Sequence, residues 1–412
     1  MGEYKNSNID WIGNIPIEWD IQPLGIYFDE RREKVSDTDF EPLSVTKGGI
    51  VKQLENVAKS DAHDDRKKVC KNDFVINSRS DRKQSCGLSE YDGSVSLINT
   101  VLIPNTDKLL PKYVKYLFDN CMFAEEFYRN GHGIVADLWT TNFSDMKRIS
   151  IPIPPINEQI KISNELDNKI PKVNKILENL NKQINILNQY RRSKMTEVLT
   201  KGLNPNAEMK ESRIDWLGKI PKHWAVNKLR YVTTLRQEKS IYSKKNDIYI
   251  GLENIESSTG KYIETDSIYD DGIYDAFKKG DILFNKLRPY LLKIMYANFD
   301  GFCTGELAII KETTLYKKYL YYYLYNDGFM KMVDSSTYGT KMPRANWDYI
   351  KTLAVLIPSY EEQVEISKYL DNELEKIYIL IEKKKQQIVQ LENYKKSLIY
   401  EYVTGKKRVK GE

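Results

Sequence analysis

Residues 9–19 read IDWIGNIPIEW and return 205 positions later as IDWLGKIPKHW at residues 214–224, in a chain of 412 residues. Near the end of each half, residues 151–168 recur as residues 355–372 with an offset of 204. The two offsets are almost equal, and the matches stand at the start and the end of each half. The chain is therefore one structural unit written twice.

The middle of each half matches as well, because residues 72–77 (NDFVIN) align with residues 280–285 (GDILFN) at an offset of 208. Short alternating apolar runs, turn pairs such as Asp271-Gly272 and a few helical stretches fill about 150 residues of each copy. This mixture predicts an α+β fold for each globular part.

A long helical stretch ends each copy, with apolar residues recurring at alternating steps of four and three. The seam of the first copy consists of Leu166, Ile170, Val173, Leu177, Leu180, Ile184 and Leu187. The seam of the second copy consists of Leu370, Leu374, Ile377, Ile381, Ile388, Leu391 and Leu398. One such stripe is more often a helix that faces a globular core, but two in one chain offer each other a partner. We expect an antiparallel intramolecular coiled coil that relates the halves by a pseudo-two-fold axis.

The order of these parts predicts four segments. Residues 1–153 form a first globular domain, residues 154–204 a first long helix, residues 205–357 a second globular domain, and residues 358–412 a second long helix with a basic tail. The tail carries Lys406, Lys407, Arg408 and Lys410, and we expect it to be frayed and solvated.

The chain resembles the DNA specificity subunits of type I restriction-modification systems over essentially its whole length. The resemblance rests on the paired openings at residues 9–19 and 214–224, on the paired helix entries at residues 154–159 and 358–363, and on GDILFNKLRPY at residues 280–290. In that family, two target-recognition domains alternate with two conserved long helices. The equivalent of the last motif in the first copy, SRSDRK at residues 78–83, lacks the Leu and the Pro-Tyr.

The resemblance implies a non-catalytic subunit that recognises a bipartite, asymmetric sequence in double-stranded DNA. It implies as partners two modification (methyltransferase) subunits and restriction (helicase-nuclease) subunits. S-adenosylmethionine, ATP and Mg²⁺ are then expected in those partner subunits and no cofactor in this chain. A different class of function, a coiled-coil scaffold whose globular domains bind protein partners, is the alternative.

Charge is distributed unevenly along the chain, although the net charge is only +5. Residues 1–150 hold 20 basic and 24 acidic residues, whereas residues 205–358 hold 23 and 19. A uniformly basic DNA-binding surface is thus excluded, and phosphate contacts must come from local patches.

Loop residues that combine cations with amides or hydroxyls suit the recognition of base edges, since a guanidinium can bind guanine and an amide can bind adenine. The candidates in the first copy are Lys47, Ser78, Arg79, Arg82, Lys83, Thr141 and Asn142. The candidates in the second copy are Asn285, Lys286, Arg288, Tyr290, Lys341, Arg344 and Asn346. For any single cation, an ordinary solvated surface residue is the alternative. Residues 140–142 and 339–341 stand at corresponding points and could equally be plain turns, and the tyrosine-rich residues 319–325 are expected to be core.

The sequence lacks the motifs of DNA methylation and of ATP hydrolysis. It has no [N/D]PP[F/Y/W] tetrapeptide of an amino methyltransferase and no GxxxxGK[ST] phosphate loop, so we expect no catalytic residues. Four cysteines and three histidines without ligand spacing predict no metal site. The first residues lack a signal core and the apolar runs are too short to span a bilayer, so we expect a soluble, cytoplasmic protein.

Overall fold

The computed structural model describes residues 3–53, 65–79, 82–105, 107–133, 139–267, 269–339 and 341–409. The chain has the α+β class predicted from the sequence and divides into two compact units. The first unit comprises Met1–Leu180 with Lys385–Glu412, and the second comprises Asn181–Lys384. Each unit thus contains one globular part and a portion of both long helices, and the predicted segment boundaries stay a prediction.

The α-helices of the described residues are α1 (Pro111–Phe118), α2 (Cys121–Arg129), α3 (Phe143–Met146), α4 (Ile156–Lys201), α5 (Lys317–Leu324), α6 (Asp327–Ser335), α7 (Trp347–Ile350) and α8 (Tyr360–Val403). The strands of the first unit are β1 (Tyr4–Asn6), β2 (Asn14–Pro16), β3 (Asp20–Pro23), β4 (Phe28–Glu30), β5 (Lys34–Val35), β6 (Leu43–Thr46), β7 (Gly49–Lys52), β8 (Arg66–Val69), β9 (Phe74–Asn77), β10 (Cys86–Leu88), β11 (Gly93–Ser96), β12 (Asn99–Pro104) and β13 (Ser150–Ile153). The strands of the second unit are β14 (Met209–Glu211), β15 (Lys219–Pro221), β16 (Ala225–Lys228), β17 (Thr233–Leu235), β18 (Lys239–Tyr242), β19 (Tyr249–Ile250), β20 (Gly272–Phe277), β21 (Ile282–Asn285), β22 (Ile294–Tyr296), β23 (Gly301–Cys303), β24 (Leu307–Thr313) and β25 (Ala354–Ile357).

The internal repeat of the sequence is a repeat of sheet topology. The first unit contains a sheet of order β10-β9-β12-β4, and the second contains its counterpart, β22-β21-β24-β17. A further sheet, β11-β8-β5, matches β23-β20-β18, to which the second unit adds β19 as a parallel neighbour of β23. The central strands β9 and β21 come from the repeated middle motif, and every residue in them is buried.

A buried ion pair precedes each of these central strands. Arg31 Nε donates to Asp73 Oδ2 at 2.7 Å, and Arg236 Nε donates to Asp281 Oδ2 at 2.8 Å. Each carboxylate also accepts a backbone N–H three residues before it, so its charge and its lone pairs are satisfied inside the protein. The Asp that both copies share at this point therefore serves the fold.

The long helices α4 and α8 run antiparallel where they pair within each unit. In the first unit, Lys169 Nζ donates to Tyr402 Oη at 3.0 Å and Lys395 Nζ donates to Asn174 Oδ1 at 2.9 Å. In the second unit, Lys384 Nζ donates to Gln183 Oε1 at 2.5 Å. Residue numbers rise along one helix as they fall along the other, which is the direction expected from the sequence. All fourteen residues of the predicted seam are buried or half-buried.

The last turns of each long helix belong to a globular core. Near the end of α8, Leu398, Ile399, Tyr402 and Val403 lie in the core of the first unit. Near the end of α4, the equivalent positions Met195, Val198 and Leu199 lie in the core of the second unit. The core of the first unit is thus completed by the end of α8, which lies far away in sequence. The core of the second unit is completed by the end of α4, which directly precedes that unit's strands in sequence.

The basic tail is docked in the structure, so the expectation of a frayed tail is wrong for its described residues. Arg408 forms ion pairs with Glu18 at 2.5 Å and Glu158 at 2.6 Å, and Lys406 Nζ donates to the carbonyl of Ile12. These acidic partners lie far away in sequence, which is why composition alone did not reveal them. Lys410 lies outside the described residues.

The tyrosine-rich helix α5 is core, as predicted. Tyr319 and Tyr323 are fully buried, and their hydroxyls donate to the carbonyls of Leu356 and Ala354 at 3.2 Å. Burial raises the pKa of both phenols well above the ordinary value, so they remain neutral donors.

None of the helices in the described residues is both long and apolar enough to cross a membrane.

Candidate nucleic-acid interface

The repeated motifs at the two ends of each half meet in space at the start of the long helix. Trp19 Nε1 donates to Glu158 Oε2 at 2.6 Å in the first turn of α4. The neighbouring Gln159 is fully buried, donates to the carbonyl of Pro154 at 2.9 Å and accepts from the N–H of Leu110 at 2.9 Å. The opening motif, the helix entry and the segment before α1 are thereby fastened together.

The second unit repeats this joint with the equivalent residues. Trp224 Nε1 donates to Glu362 Oε1 at 3.3 Å, and Gln363 accepts from the N–H of Tyr316 at 2.7 Å. Burial by itself would raise the pKa of Glu362. Hydrogen bonds from His223, a backbone amide and Trp224 outweigh burial and hold this pKa below its ordinary value. The motifs that carry the family resemblance therefore form structural joints.

A different part of each globular domain gathers the predicted site residues. In the second unit, Arg288 N–H donates to the carbonyl of Pro343 at 2.7 Å, and Ala345 N–H donates to the carbonyl of Lys286 at 2.8 Å. Tyr338 and Arg344 exchange backbone hydrogen bonds at 3.2 and 3.0 Å. We call residues 285–292, 338–339 and 341–346 the second platform.

The first unit builds the same arrangement at equivalent positions. Thr141 N–H donates to the carbonyl of Ser78 at 3.0 Å, and His132 and Thr140 exchange backbone hydrogen bonds at 2.9 Å. Arg79 and Thr140 form a further bridge. We call residues 77–79, 131–133 and 139–142 the first platform.

The structure changes the predicted alignment of the turns that precede β13 and β25. Asn142 caps α3 and Asn346 caps α7, each with its side-chain oxygen on backbone N–H groups of the first turn. Residues 140–142 therefore correspond to residues 344–346 and not to residues 339–341, of which Thr340 lies outside the described residues. Length differences between the loops hid this register from the sequence.

Several predicted side chains of the first copy are engaged inside the protein. The Ser78 hydroxyl is buried and lies 2.9 Å from the Thr100 hydroxyl, and the Thr141 hydroxyl is buried and donates to the carbonyl of Phe127 at 3.0 Å. Ser78 and Thr141, together with the helix-capping Asn142, shape the first platform. Lys83 lies outside it and forms an ion pair with Glu125 at 3.3 Å on the surface.

The predicted cations of the first copy that are exposed are Arg79, Arg82, Lys47 and the ion-paired Lys83. Arg79 lies on the first platform itself, and Arg82 follows it closely in the chain. Lys47 lies in the turn between β6 and β7, and no hydrogen bond described in the structure joins its side chain to the first platform. Residues 80–81 of the predicted loop lie outside the described residues.

In the second copy, the side chain of Asn285 is buried and binds the backbone of Leu287 twice. Its Oδ1 accepts from the N–H of Leu287 at 2.9 Å, and its Nδ2 donates to the carbonyl of Leu287 at 2.6 Å. Lys286 Nζ donates to the carbonyl of Gly305 at 2.9 Å, and burial, then the nearby Arg344 guanidinium, lower the pKa of its ammonium. Arg344 Nε lies 3.1 Å from Glu306.

Several of the predicted residues of the second copy face solvent. Tyr290, Lys341 and Asn346 are exposed, and Arg288 is partly exposed, as are Lys286 and Arg344. One guanidinium nitrogen of Arg288 donates to the carbonyl of Lys341 at 3.3 Å, while its Nε is buried with no hydrogen-bond partner among the described residues. Asn346, as the cap of α7, belongs with the structural set.

Sequence reasoning missed three residues of these surfaces. Tyr338 and Met342 are more than half exposed on the second platform, and His132 occupies the position equivalent to Tyr338 on the first. Their only sequence signal is a large side chain in a turn, which does not separate a functional loop from an ordinary one. No cluster of three metal-binding side chains occurs within the part of the chain that the structure describes.

Comparison with known proteins gives a consistent set of relatives, although no protein-family model matches the chain. The type I restriction enzyme MjaVIII specificity subunit of Methanocaldococcus jannaschii is 28% identical over 325 residues, which cover 72% of this chain and 70% of the relative. The type I restriction enzyme EcoDI specificity subunit of Escherichia coli is 26% identical over 246 residues, covering 55% of each protein. The putative MjaX specificity subunit of M. jannaschii is 24% identical over 437 residues, covering 99% of this chain and 98% of the relative.

The fold is shared with a solved structure that is described as the structural basis of complex assembly and conformational transition of the type I R-M system. It superposes with a TM-score of 0.70 over 94% of this chain and 98% of its own length, at 16% sequence identity.

Proposed function

We propose that this chain is a type I restriction enzyme specificity subunit and that it recognises a two-part, asymmetric target in double-stranded DNA through its first and second platforms. The chain is the non-catalytic member of such a system, and its contribution is recognition.

The observation that carries this proposal is one backbone arrangement with two sets of side chains. Where the first platform has Arg79, His132 and Thr140, the second has Leu287, Tyr338 and Arg344 at the equivalent positions. Equal scaffolds with unequal contact groups recognise two different half-sites, since base identity is read by the side chains that reach the groove. The target is accordingly non-palindromic.

Arg79 on the first platform and Arg288 with Lys341 on the second supply the direct contacts in this proposal. A guanidinium donates two parallel hydrogen bonds to the O6 and N7 atoms of guanine, whereas a lysine suits a phosphate or a single acceptor. Ser78, Thr141, Asn142, Asn285 and Asn346 hold the platforms in shape, because their side chains are bound to the protein itself.

We also propose that the chain binds two modification subunits, and the long helices support this. Ile176 on α4 and Leu380 on α8 stand at equivalent positions. Ile176 is 48% exposed and Leu380 is 47% exposed. Exposed aliphatic side chains that recur once in each half suit two copies of one partner. We propose that these subunits and the restriction subunits carry S-adenosylmethionine, ATP and Mg²⁺.

The test is selection of DNA from a random pool by the full chain assembled with its modification subunits. Two short constant segments separated by a fixed number of unconstrained base pairs are expected. One continuous segment, or retention of every sequence alike, would contradict the proposal and favour a scaffold that binds proteins.

A further inference from the structure

Three large side chains of the second platform remain without a role in base-edge recognition. Tyr290 is 53% exposed, Tyr338 61% and Met342 54%. The segments that carry them are joined by the backbone hydrogen bonds of the platform, from Arg288 to Pro343 and between Tyr338 and Arg344. The three residues therefore lie on one continuous piece of backbone structure.

The turn that carries Tyr290 is held in a fixed shape. Arg288 and Leu292, which flank it, both adopt left-handed backbone conformations with φ of 50° and 52°. Pro289 between them is buried, and the Asn285 side chain clamps Leu287 from the other side. Non-glycine residues in this region are strained, and such strain persists where the surroundings impose a geometry that function uses.

The free charges beside these side chains are cationic, as contacts with DNA phosphates require. Lys341 is exposed next to Met342, and Arg288 lies two residues before Tyr290. Glu306, which lines the platform, is already paired with Arg344 at 3.1 Å. The cations that remain can contact phosphates on both sides of an apolar side chain that enters a groove.

We propose that Tyr290, Tyr338 and Met342 form an apolar wedge that enters the DNA at the second half-site and partly unstacks one base step. This inference rests on the proposed function and adds how the second platform recognises its target. Apolar side chains inserted between base pairs kink the duplex, and the energy of the kink depends on the sequence of the step. Flexible pyrimidine–purine steps deform most easily, so the second half-site contains such a step opposite the wedge.

The first platform differs at the equivalent surface. The loop that follows β9 in the first copy, SRSDRK at residues 78–83, contains no aromatic residue, whereas the turn that follows β21 contains Tyr290. His132, which replaces Tyr338, lies 3.1 Å from Asp145. The wedge is therefore assigned to the second half-site alone.

The experiment uses a duplex that the assembled complex has selected. 2-aminopurine replaces successive adenines, except the adenine in each half-site that the modification subunits methylate, because a methyltransferase unstacks its own target base. Unstacking raises the fluorescence of this base, so the wild-type complex is expected to raise it at one step of the second half-site and nowhere in the first. Tyr290→Ala and Met342→Ala should abolish the rise and weaken binding by roughly 5- to 100-fold. Tyr290→Phe, which keeps the ring, should retain both.

A matched control is Tyr231→Ala, which removes a tyrosine of the same unit that is 60% exposed but lies outside the second platform. It should bind and unstack DNA as the wild type does. Selection of a two-part target without any rise in fluorescence would overturn the wedge and leave the proposed function standing. Equal losses in Tyr290→Phe and Tyr290→Ala would also overturn it, because a hydrogen bond of the hydroxyl would then be responsible. Failure to select any sequence would overturn the proposed function itself.

Discussion

Trp19 donates its indole N–H to Glu158 at 2.6 Å, although 139 residues separate them. The bond joins the opening motif of the chain to the first turn of α4, and the equivalent Trp224 and Glu362 repeat it at 3.3 Å. Two motifs that the sequence presents as separate repeats are thus the two sides of one contact.

We expect Trp19→Phe to destabilise the first unit more than Trp11→Phe does. Both indoles are buried, at 1% and 3% exposure, but Trp11 Nε1 has no hydrogen-bond partner among the described residues. The loss of ring volume is therefore the same, and the difference of about 1.5–3 kcal/mol reports the hydrogen bond to a carboxylate. Urea unfolding of both variants measures it, and equal effects would show that the bond contributes nothing.

Acid should weaken the joint of the second unit. The pKa of Glu362 is lowered in the folded protein, so its ionised form stabilises the fold above the unfolded value near 4.5, and this contribution is lost as the pH falls through the lowered value. The difference in unfolding free energy between wild type and Glu362→Gln should therefore be present at pH 5 and shrink below about pH 4.5. Glu361→Gln, at the exposed neighbour, should show no such difference at any pH; a difference independent of pH for Glu362→Gln would contradict the assignment.

The coiled-coil seam predicts a contrast between two adjacent residues of α8. Ile388 is half-buried, whereas Val389 is 55% exposed. Ile388→Lys places a charge against α4 and should cost about 1–3 kcal/mol, while Val389→Lys should change the free energy of unfolding by less than about 0.5 kcal/mol. In DNA selection, Ile388→Lys should also broaden the accepted spacing between half-sites and leave the bases within each half-site unchanged. Equal stability of the two variants would argue that the seam does not pair at this point.

The two arginines of the platforms should affect different halves of the target. Arg79→Ala is expected to relax base preference in one half-site and Arg288→Ala in the other, each at a cost of about 1–3 kcal/mol for the correct sequence. Lys47→Ala, outside the first platform, should change neither preference. If both arginine variants relaxed the same half-site, the assignment of one platform to each half-site would be wrong.

Much of the fold could be predicted because it is carried by patterns that repeat. The heptad spacing from Leu166 to Leu187 predicted a buried helix face. The repeated NDFVIN and GDILFN stretches predicted equivalent positions in the two copies, and they contain the central strands β9 and β21. The tail was missed because its partners, Glu18 and Glu158, are hundreds of residues away.

The interface could be predicted only as a set of loops. Residue type suggested Ser78, Thr141 and Asn285 as contacts, but their short polar side chains are consumed by local hydrogen bonds that depend on backbone geometry. Tyr338 and Met342 carried no pattern, and their importance follows from exposure alone. Local bonding decides which polar loop residues remain available to a ligand, and a sequence does not display it.

The core of the first unit draws on both ends of the chain, since Tyr113 donates its hydroxyl to the carbonyl of Val403 at 3.1 Å. The second unit, Asn181–Lys384, is continuous and contains every segment of its own core before the last residues are translated. The first domain therefore emerges from the ribosome first, yet its core stays incomplete until residues 398–403 have been translated. A chain that stops before Leu398 would lack these side chains and leave the apolar surface that they cover exposed to solvent.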